Sequence, residues 1–305
     1  MELPTSGHDP VLLQEVLDLL EVIEGKTIVD CTLGRAGHAG AIAAKLGREG
    51  LLIGMDADPR NLEYAQARLA DAPCEVRLFH ANFAQLEHVL GDAQVGLVDG
   101  ILADLGLSTN QLFDSEYGLS FATDAPLDMR IDPQTEMTAA EIVNRWGEQK
   151  IADLLFQKAD ERFSRRIAKK IVERRRVSPI RRTGELAQVI YEAIGGPRPD
   201  RIDPATRTFM ALRMAVNQET ENLQTLLAVA PRHLKAGGRL AIISFHSTED
   251  RFVKLAFREA DQRDELAIVT KKPVVPGEIE QERNPRSRSA KLRVAQRSAE
   301  KRGAV

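Results

Sequence analysis

Short apolar runs alternate with amphipathic stretches along the N-terminal third of the chain. Apolar runs of about four to eight residues between turn signals are typical of buried strands, and apolar positions that recur every three or four residues are typical of helices. The alternation of the two patterns predicts a parallel sheet with helices on its faces. The predicted strands are residues 27–29, 51–55, 75–79 and 97–104, and helices are predicted at 11–20, 41–46 and 59–69.

The alternation stops between about residues 113 and 220 and then resumes. The interrupted region has no clear strand pattern, and its apolar spacing predicts helices at 139–146, 163–178, 183–194 and 204–216. The region after it predicts helices at 223–230 and 248–263, a turn at 236–238, and strands at 239–244, 266–270 and 291–295. We therefore predict a discontinuous α/β domain, residues 1–112 and 220–305, with an inserted all-helical domain, residues 113–219.

A glycine-rich turn joins the first predicted strand to the next helix. It spans residues 30–40 and has the pattern G-x-x-G-x-x-G, formed by Gly34, Gly37 and Gly40. Glycine lets a ligand approach the backbone, and a helix N-terminus offers N–H groups to that ligand. Asp56 ends the next strand 22 positions after Gly34 (56 − 34), where a carboxylate commonly holds a ribose diol. The pattern favours a nucleoside-bearing cofactor, although an ordinary strand-to-helix turn would also explain the glycines.

Polar or aromatic residues lie at the ends of four predicted strands. Asp30, Asp56 and Asp104 end three strands, and Phe83 lies just after a fourth. Ligands of open parallel sheets lie beyond the carboxyl ends of the strands, so we expect these side chains to line one crevice. A nicotinamide-dependent dehydrogenase would use a similar crevice, but its G-x-G-x-x-G pattern is absent from this turn.

Charge is distributed unevenly along the 305 residues, although the formal net charge is only −3. Residues 161–182 contain ten Lys or Arg but only two Glu, and residues 283–302 contain eight Lys or Arg but only one Glu. Local basic patches govern attraction to phosphate more than net charge does. A nucleic-acid partner is therefore compatible with the sequence, as is a plain solvated helix face.

The composition and the apolar pattern favour a cytoplasmic location and exclude sites that need several cysteines. The apolar runs are too short to span a bilayer, and the N-terminus lacks the pattern of a secretory signal. The two cysteines, Cys31 and Cys74, cannot form a disulfide framework or a four-cysteine zinc site. We expect a cytoplasmic protein with no membrane partner.

Several motifs occur in the order found in one known family. They are Asp30-x-Thr32-x-Gly34-Arg35-x-Gly37-His38 and the residues 99–106, 126–130, 161–163, 204–209, 243–247 and 284–289. On these motifs the chain resembles, over nearly its whole length, the RsmH (MraW) family of bacterial methyltransferases. The resemblance implies a Rossmann-like, class I fold that binds S-adenosylmethionine (SAM), with an inserted helical domain for RNA substrate recognition. It also implies methyl transfer from SAM, without a metal, to the exocyclic N4 amine of a cytosine in 16S ribosomal RNA.

The resemblance assigns roles to individual residues. The implied cofactor-binding residues are Ala36, Gly37, His38, Asp56, Phe83, Asp104 and Gln111, and the implied catalytic residues are Asp104 and His246. Purely structural roles stay open as alternatives for three of these residues. Asp56 could cap a helix, and His38 and Phe83 could only pack in the core. Asp104 either accepts a hydrogen bond from the reacting amine or only holds SAM. His246 either contacts the target base or is a structural histidine.

The implied partner is 16S rRNA, in the small ribosomal subunit or its late assembly intermediate, and a homodimer is a further possibility. Asp128 and Arg130 are interpreted as a structural ion pair of the insertion. Phosphate contacts are expected from basic residues of the insertion and of the C-terminal region: Arg165, Arg166, Lys169, Lys170, Arg207, Arg286, Arg288 and Lys291.

The chain departs from the family pattern at a few positions. Ala36 and Asp203 stand where the family usually has Gly and His, and Thr109-Asn110 stands where it usually has Ser-Pro. These departures leave open a related substrate. The basic insertion disfavours a small-molecule substrate but does not distinguish among polymers, so methylation of DNA or protein also stays open. They also leave open an RNA-binding assembly factor that binds SAM without turnover.

Overall fold

The computed structural model describes residues 10–197 and 202–299. The chain forms two compact units, one from Met1–Gly106 with Thr220–Val305 and one from Leu107–Glu219. We call them the sheet unit and the helical unit and describe each separately.

The sheet unit contains one seven-stranded sheet. Its strands are β1 (Thr27–Asp30), β2 (Leu51–Asp56), β3 (Glu75–His80), β4 (Val98–Asp104), β5 (Leu234–Ser244), β6 (Leu266–Ile268) and β7 (Lys291–Arg297). Their order in the sheet is β3-β2-β1-β4-β5-β7-β6. Strands β1 to β5 are parallel, and β7 is antiparallel to both β5 and β6. The order reverses between β1 and β4, so the carboxyl ends of these strands border the topological switch point where such sheets bind ligands.

Helices connect the strands and form most of the helical unit. They are α1 (Leu13–Leu19), α2 (Gly37–Leu46), α3 (Pro59–Arg68), α4 (Leu86–Asp92), α5 (Thr109–Phe113), α6 (Ala139–Arg145), α7 (Glu148–Ala159), α8 (Ser164–Val177), α9 (Thr183–Ile194), α10 (Ala205–Val216), α11 (Glu219–Val229), α12 (Ser247–Gln262) and α13 (Glu278–Arg283). Within the described ranges, none is long and apolar enough to cross a membrane.

This topology confirms the α/β, Rossmann-like class predicted from the sequence. Each predicted strand is present, with ends that differ by a few residues. Helix α2 begins at Gly37 rather than at residue 41, so the glycine-rich turn is shorter than the pattern indicates. Four helices, α4, α5, α7 and α13, have no counterpart among the predicted elements.

The turn predicted at residues 236–238 lies inside β5. Val98 pairs with Leu234 and Gly100 with Arg239, so β5 advances five residues (239 − 234) while β4 advances two (100 − 98). The extra residues leave the regular ladder, as they do in a β-bulge, and Gly237 adopts a φ of +81° there. The glycines therefore mark an irregularity within a strand, not the gap before one.

Both faces of the sheet are covered by apolar side chains. Ile28 and Leu52 belong to one buried cluster, and their neighbours Val29 and Ile53 belong to another. Successive side chains of a strand point to opposite faces, so a strand buried on both faces needs a continuous apolar run. This is why short unbroken runs identify these strands in the sequence.

The helical unit has its own apolar core, to which helices α6 to α10 contribute. Helix α8 places Ile167 and Ile171 in this core, while Arg165 and Lys169 are exposed. The predicted basic amphipathic helix is thereby confirmed, and its arginines and lysines mostly face solvent.

Two polar pairs give rigidity to the loops of the helical unit. Arg130 donates to Asp128 from Nε (2.7 Å) and Nη2 (2.8 Å), which confirms the predicted structural ion pair. Asp203 accepts the Ala205 N–H at 2.7 Å and the Tyr191 hydroxyl at 3.0 Å. Asp203, which stands where the family usually has histidine, therefore stabilises the start of α10 and fixes the side chain of a tyrosine in α9.

Candidate active site at the carboxyl edge of the sheet

The glycine-rich turn follows β1 and leads into α2 through two residues in the left-handed region. Gly34 has a φ of +51° and Ala36 a φ of +57°. The left-handed conformation costs an L-residue roughly 1–2 kcal/mol, so Ala36 carries strain that the usual glycine would avoid. Ala36 is fully buried and caps α2 without a side-chain hydrogen bond. The first N–H groups of a helix have no intrahelical partner, and Gly37 and His38 supply two of them here.

Asp56 fixes this turn from the end of β2. Its Oδ2 accepts the Gly34 N–H at 2.7 Å, and its Oδ1 accepts the Asp58 N–H at 2.8 Å. Burial raises the pKa of this carboxyl to about 6, against the lowering effect of these hydrogen bonds. Oδ1 also accepts the Asn61 side-chain amide at 3.3 Å. Because a carboxylate oxygen has two acceptor positions, Oδ2 can support the turn and still accept a hydroxyl of a diol. The helix cap of α3 is Asp58, which accepts the Arg60 N–H.

Asp104 is the last residue of β4 and has a buried carboxylate oxygen, Oδ1, without a hydrogen-bond partner. Burial raises its pKa to about 8, and the negative charges of Asp30 and Glu249 add to the effect. An unpartnered buried acceptor is costly and is therefore a natural position for a donor on a ligand.

Asp30 lies behind this position, at the end of β1. It is almost fully buried, and its Oδ1 accepts the Thr32 N–H at 3.1 Å. Burial raises its pKa to about 7, and the charge of Asp56 contributes. Two buried acids, Asp30 and Asp56, and the partly buried Asp104 therefore lie at the ends of β1, β2 and β4.

His38 connects the turn with both the N-terminal segment and Asp104. Its Nε2 lies 2.9 Å from the Val11 carbonyl oxygen, and its Nδ1 lies 3.6 Å from Asp104 Oδ2. Because a carbonyl only accepts, Nε2 carries the proton, and in the neutral ring Nδ1 is then an acceptor. The structure gives His38 a packing and orienting role, and its predicted contact with the cofactor stays a prediction.

Phe83 follows β3 and begins a short 3₁₀ helix, Phe83–Gln85, that Asn82 caps. Its ring is partly buried against one of the two apolar clusters of the sheet unit. This leaves part of the ring available to pack against a base.

Gln111 belongs to the helical unit, where its Oε1 accepts the Ser108 N–H at 3.1 Å in a capping box at the start of α5. Its side chain is buried. The capping explains one of its polar atoms, and its predicted contact with SAM stays a prediction.

His246 caps α12, with its Nδ1 accepting the Glu249 N–H at 3.3 Å. Its Nε2 lies 3.1 Å from Glu249 Oε1 but has no hydrogen-bond partner of adequate geometry. Glu249 also accepts the Phe245 N–H at 3.0 Å. The histidine is thus held by Glu249, which lies three positions later in the first turn of α12 and belongs to none of the motifs found in the sequence.

The crevice of the sheet unit suits a cationic nucleoside. Among the described residues, the carboxyls of Asp30, Asp56 and Asp104 have no ion pair with lysine or arginine. SAM has a positive sulfonium, an ammonium group and a ribose diol. Its donors complement these acceptors, and its positive charge would favour the ionised form of carboxyls whose pKa values are raised by burial. The set of acceptors therefore fits SAM, and the individual contacts of Asp56 and Asp104 with it stay predictions.

The predicted phosphate-binding residues have several internal partners. Arg166 donates to the Ala193 carbonyl at 2.6 Å, Lys170 pairs with Glu192 at 3.1 Å, and Arg207 donates to the Asp160 carbonyl at 3.1 Å. In the sheet unit, Lys291 lies 3.5 Å from Asp250. Arg165, Lys169 and Arg288 are exposed, and Arg286 is partly buried.

Comparison with known proteins places these features in one family. A relative from Acidobacterium capsulatum, "Ribosomal RNA small subunit methyltransferase H", is 46% identical over 95% of this chain and 98% of its own length. Relatives of the same name from Synechococcus elongatus (47%, 96% of each chain) and Syntrophobacter fumaroxidans (44%, 96% and 97%) are similar to the same extent. The model of the MraW methylase family matches residues 5–298. The chain therefore belongs to the MraW methylase family.

Proposed function

We propose that this protein transfers a methyl group from SAM to the exocyclic N4 amine of a cytosine in 16S ribosomal RNA. The similarity to small-subunit rRNA methyltransferases over almost their full length supports the substrate class. The observation that carries the chemistry is the buried, unpartnered Oδ1 of Asp104 at the switch point of the sheet.

The sheet unit would hold SAM, which supplies an electrophilic methyl group. Asp56 would accept the ribose hydroxyls, Phe83 would pack against adenine, and the first turn of α2 would face the methionine part. The turn from Gly34 to Ala36 is held by Asp56 and would therefore be in place before the ligand binds.

The amine of cytosine is a weak nucleophile because its lone pair is delocalised into the ring. Much of the rate can come from holding the nitrogen in line with the methyl carbon. We assign Asp104 Oδ1 as the acceptor of an amine N–H, which returns electron density to the nitrogen. His246 would orient the base, since its own Nδ1 is used in capping α12.

The helical unit would bind the RNA. Helix α8 carries seven Lys and Arg and one Glu. Beside its start, the ring of Phe163 is 47% exposed, with the Arg166 guanidinium 5.7 Å from its centroid. Buried Glu161 accepts the Phe163 N–H at 2.8 Å and fixes this corner. Exposed aromatic rings beside cations are typical of surfaces that stack unpaired bases.

Methyl transfer from labelled SAM to small ribosomal subunits that lack the modification tests the proposal, with nucleoside analysis of the digested RNA. We expect N4-methylcytidine in 16S rRNA, from mature subunits or from late assembly intermediates assayed in parallel. Label in another nucleoside would revise the target atom. SAM binding without labelled RNA would favour a binding factor without turnover.

A further inference from the structure

Thr32 links two acids, Asp30 and Asp104, at the point where β1 and β4 separate. The last ladder bond between these strands is donated by the Cys31 N–H to the Leu102 carbonyl at 2.8 Å. One step further, the Asp104 N–H finds no backbone acceptor on β1 and donates instead to Thr32 Oγ1 at 2.6 Å. The Thr32 side chain thus replaces a backbone acceptor and extends the hydrogen-bond ladder between β1 and β4 by one residue.

Asp30 holds the same threonine through its backbone. The Oδ1 atom of Asp30 accepts the Thr32 N–H at 3.1 Å, and the Thr32 side chain lowers the pKa of this carboxyl. A hydroxyl has one proton and two lone pairs, so Thr32 Oγ1 can accept the Asp104 N–H through a lone pair. Thr32 therefore links the end of β4 to the carboxyl of Asp30, with its hydroxyl on Asp104 and its backbone N–H on Asp30.

This link matters because the carboxyl of Asp104 is weakly held. Its Oδ1 has no hydrogen-bond partner, and the nearest ring atom of His38 lies 3.6 Å from its Oδ2. The position of the carboxyl therefore depends on the backbone of Asp104, which Thr32 holds from one side and the Leu105 N–H bond to Ile243 (2.8 Å) from the other.

We propose that Thr32 is a positioning residue for methyl transfer, whose hydroxyl holds the backbone of Asp104 so that its carboxyl meets the reacting groups. The role rests on the proposed function, in which Asp104 contacts those groups. Thr32 itself touches neither the substrate nor SAM in this assignment. Misplacement of a reacting group by about 1 Å can cost a factor of about 10² in rate.

The test compares single-turnover methyl transfer to small ribosomal subunits at saturating SAM for the wild type and four variants. Thr32→Val and Thr32→Ala remove the hydroxyl, with and without a similar volume, whereas Thr32→Ser keeps it. Thr27→Val is the matched control, because it makes the same change at the opposite end of β1. Melting temperature and SAM affinity are measured on each protein, so that folding and binding are separated from the transfer rate.

We expect Thr32→Val and Thr32→Ala to lower the transfer rate by a factor of about 10–100, and Thr32→Ser and Thr27→Val to stay within about threefold of wild type. A folded Thr32→Val or Thr32→Ala that transfers at the wild-type rate would overturn the assignment, as would a Thr32→Ser that is as slow as Thr32→Val. Absence of product with the wild type would instead remove the proposed function, and this role with it.

Discussion

Asp104 keeps its proton near neutral pH in the folded protein, because burial and the charges of Asp30 and Glu249 raise its pKa from 3.8 to about 8. The unfolded chain releases that proton near pH 4. Between these two values the native state binds more protons than the unfolded state, so the free energy of unfolding falls as pH rises. Asp30 and Asp56, whose pKa values are raised to about 7 and about 6, act in the same direction.

The substitution Asp104→Asn tests this linkage without ligand. Asparagine cannot ionise, so we expect a melting temperature about 2–8 °C above wild type at about pH 9, or about 1–2 kcal/mol, and a gain that shrinks towards about pH 5. Thermal unfolding at several pH values measures it. Asp71→Asn, at an exposed carboxyl, should show no such dependence. Parallel pH profiles for wild type and Asp104→Asn would mean that this carboxyl is already ionised in the fold.

The location of a site residue was predictable from the sequence where the residue ends a strand. Asp30, Asp56 and Asp104 end parallel strands, and topology alone brings such ends to one edge. The partners of His38 and Thr32 were not predictable, because Val11 and Asp104 approach them only in the folded chain. For the same reason, the sequence does not show that Oδ1 of Asp104 lacks a partner.

At the scale of elements, Gly118 is the position where the loop of the helical unit tolerates least change. It has a φ of +63°, and an added Cβ would collide with the Pro126 carbonyl and lie 3.2 Å from the Asp128 nitrogen. We expect Gly118→Ala to destabilise the helical unit by about 2–4 kcal/mol. Denaturant unfolding followed by the fluorescence of Trp146, the single tryptophan, reports on this unit.

Gly196→Ala is the matched control for that measurement. An added Cβ at Gly196 meets nothing within 4 Å, and no positive φ is required there. It should change stability by less than about 0.5 kcal/mol. Equal midpoints for the two variants would show that the loop around Gly118 can rearrange at little cost.

Helix α8 offers a second prediction at this scale. Its exposed cations should contact phosphates, so replacing Arg165, Lys169 and Arg176 by Gln should weaken RNA binding and reduce the salt slope by about one unit for each lost contact. Filter binding at several salt concentrations measures both quantities. The control replaces Arg251, Lys254 and Arg258, three exposed cations of α12. An unchanged slope for the α8 variant would exclude this helix as the RNA-binding face.

Elements were predictable where one period dominates the pattern. Buried strands read as unbroken apolar runs, and α8 and α9 show a clear helical spacing. Helix α13 was missed because it carries no fully buried residue, which leaves no apolar stripe to detect. The sequence predicts a turn at the bulge of β5 because Gly237-Gly238 is a turn signal. Only the pairing with β4 shows that the strand continues through it.

For the whole molecule, we assign SAM binding to the sheet unit and RNA binding to the helical unit. The sheet unit contains the glycine-rich turn and the three acids at the strand ends, whereas the helical unit contains α8 and its basic surface. The interruption of strand alternation was visible in the sequence because helices and strands differ in apolar period. That the insertion recognises RNA stays a proposal, and the net charge of −3 shows why regional charge is more informative here than the total.

The most direct test of the account measures SAM affinity by calorimetry and single-turnover methyl transfer for Asp104→Ala, with Asp71→Ala as the control. We expect Asp104→Ala to lose at least a factor of about 10² in transfer, with or without a loss of SAM affinity, while the control behaves as wild type. A folded Asp104→Ala that binds SAM and transfers methyl groups within about twofold of wild type would contradict the assignment of the active site to this crevice.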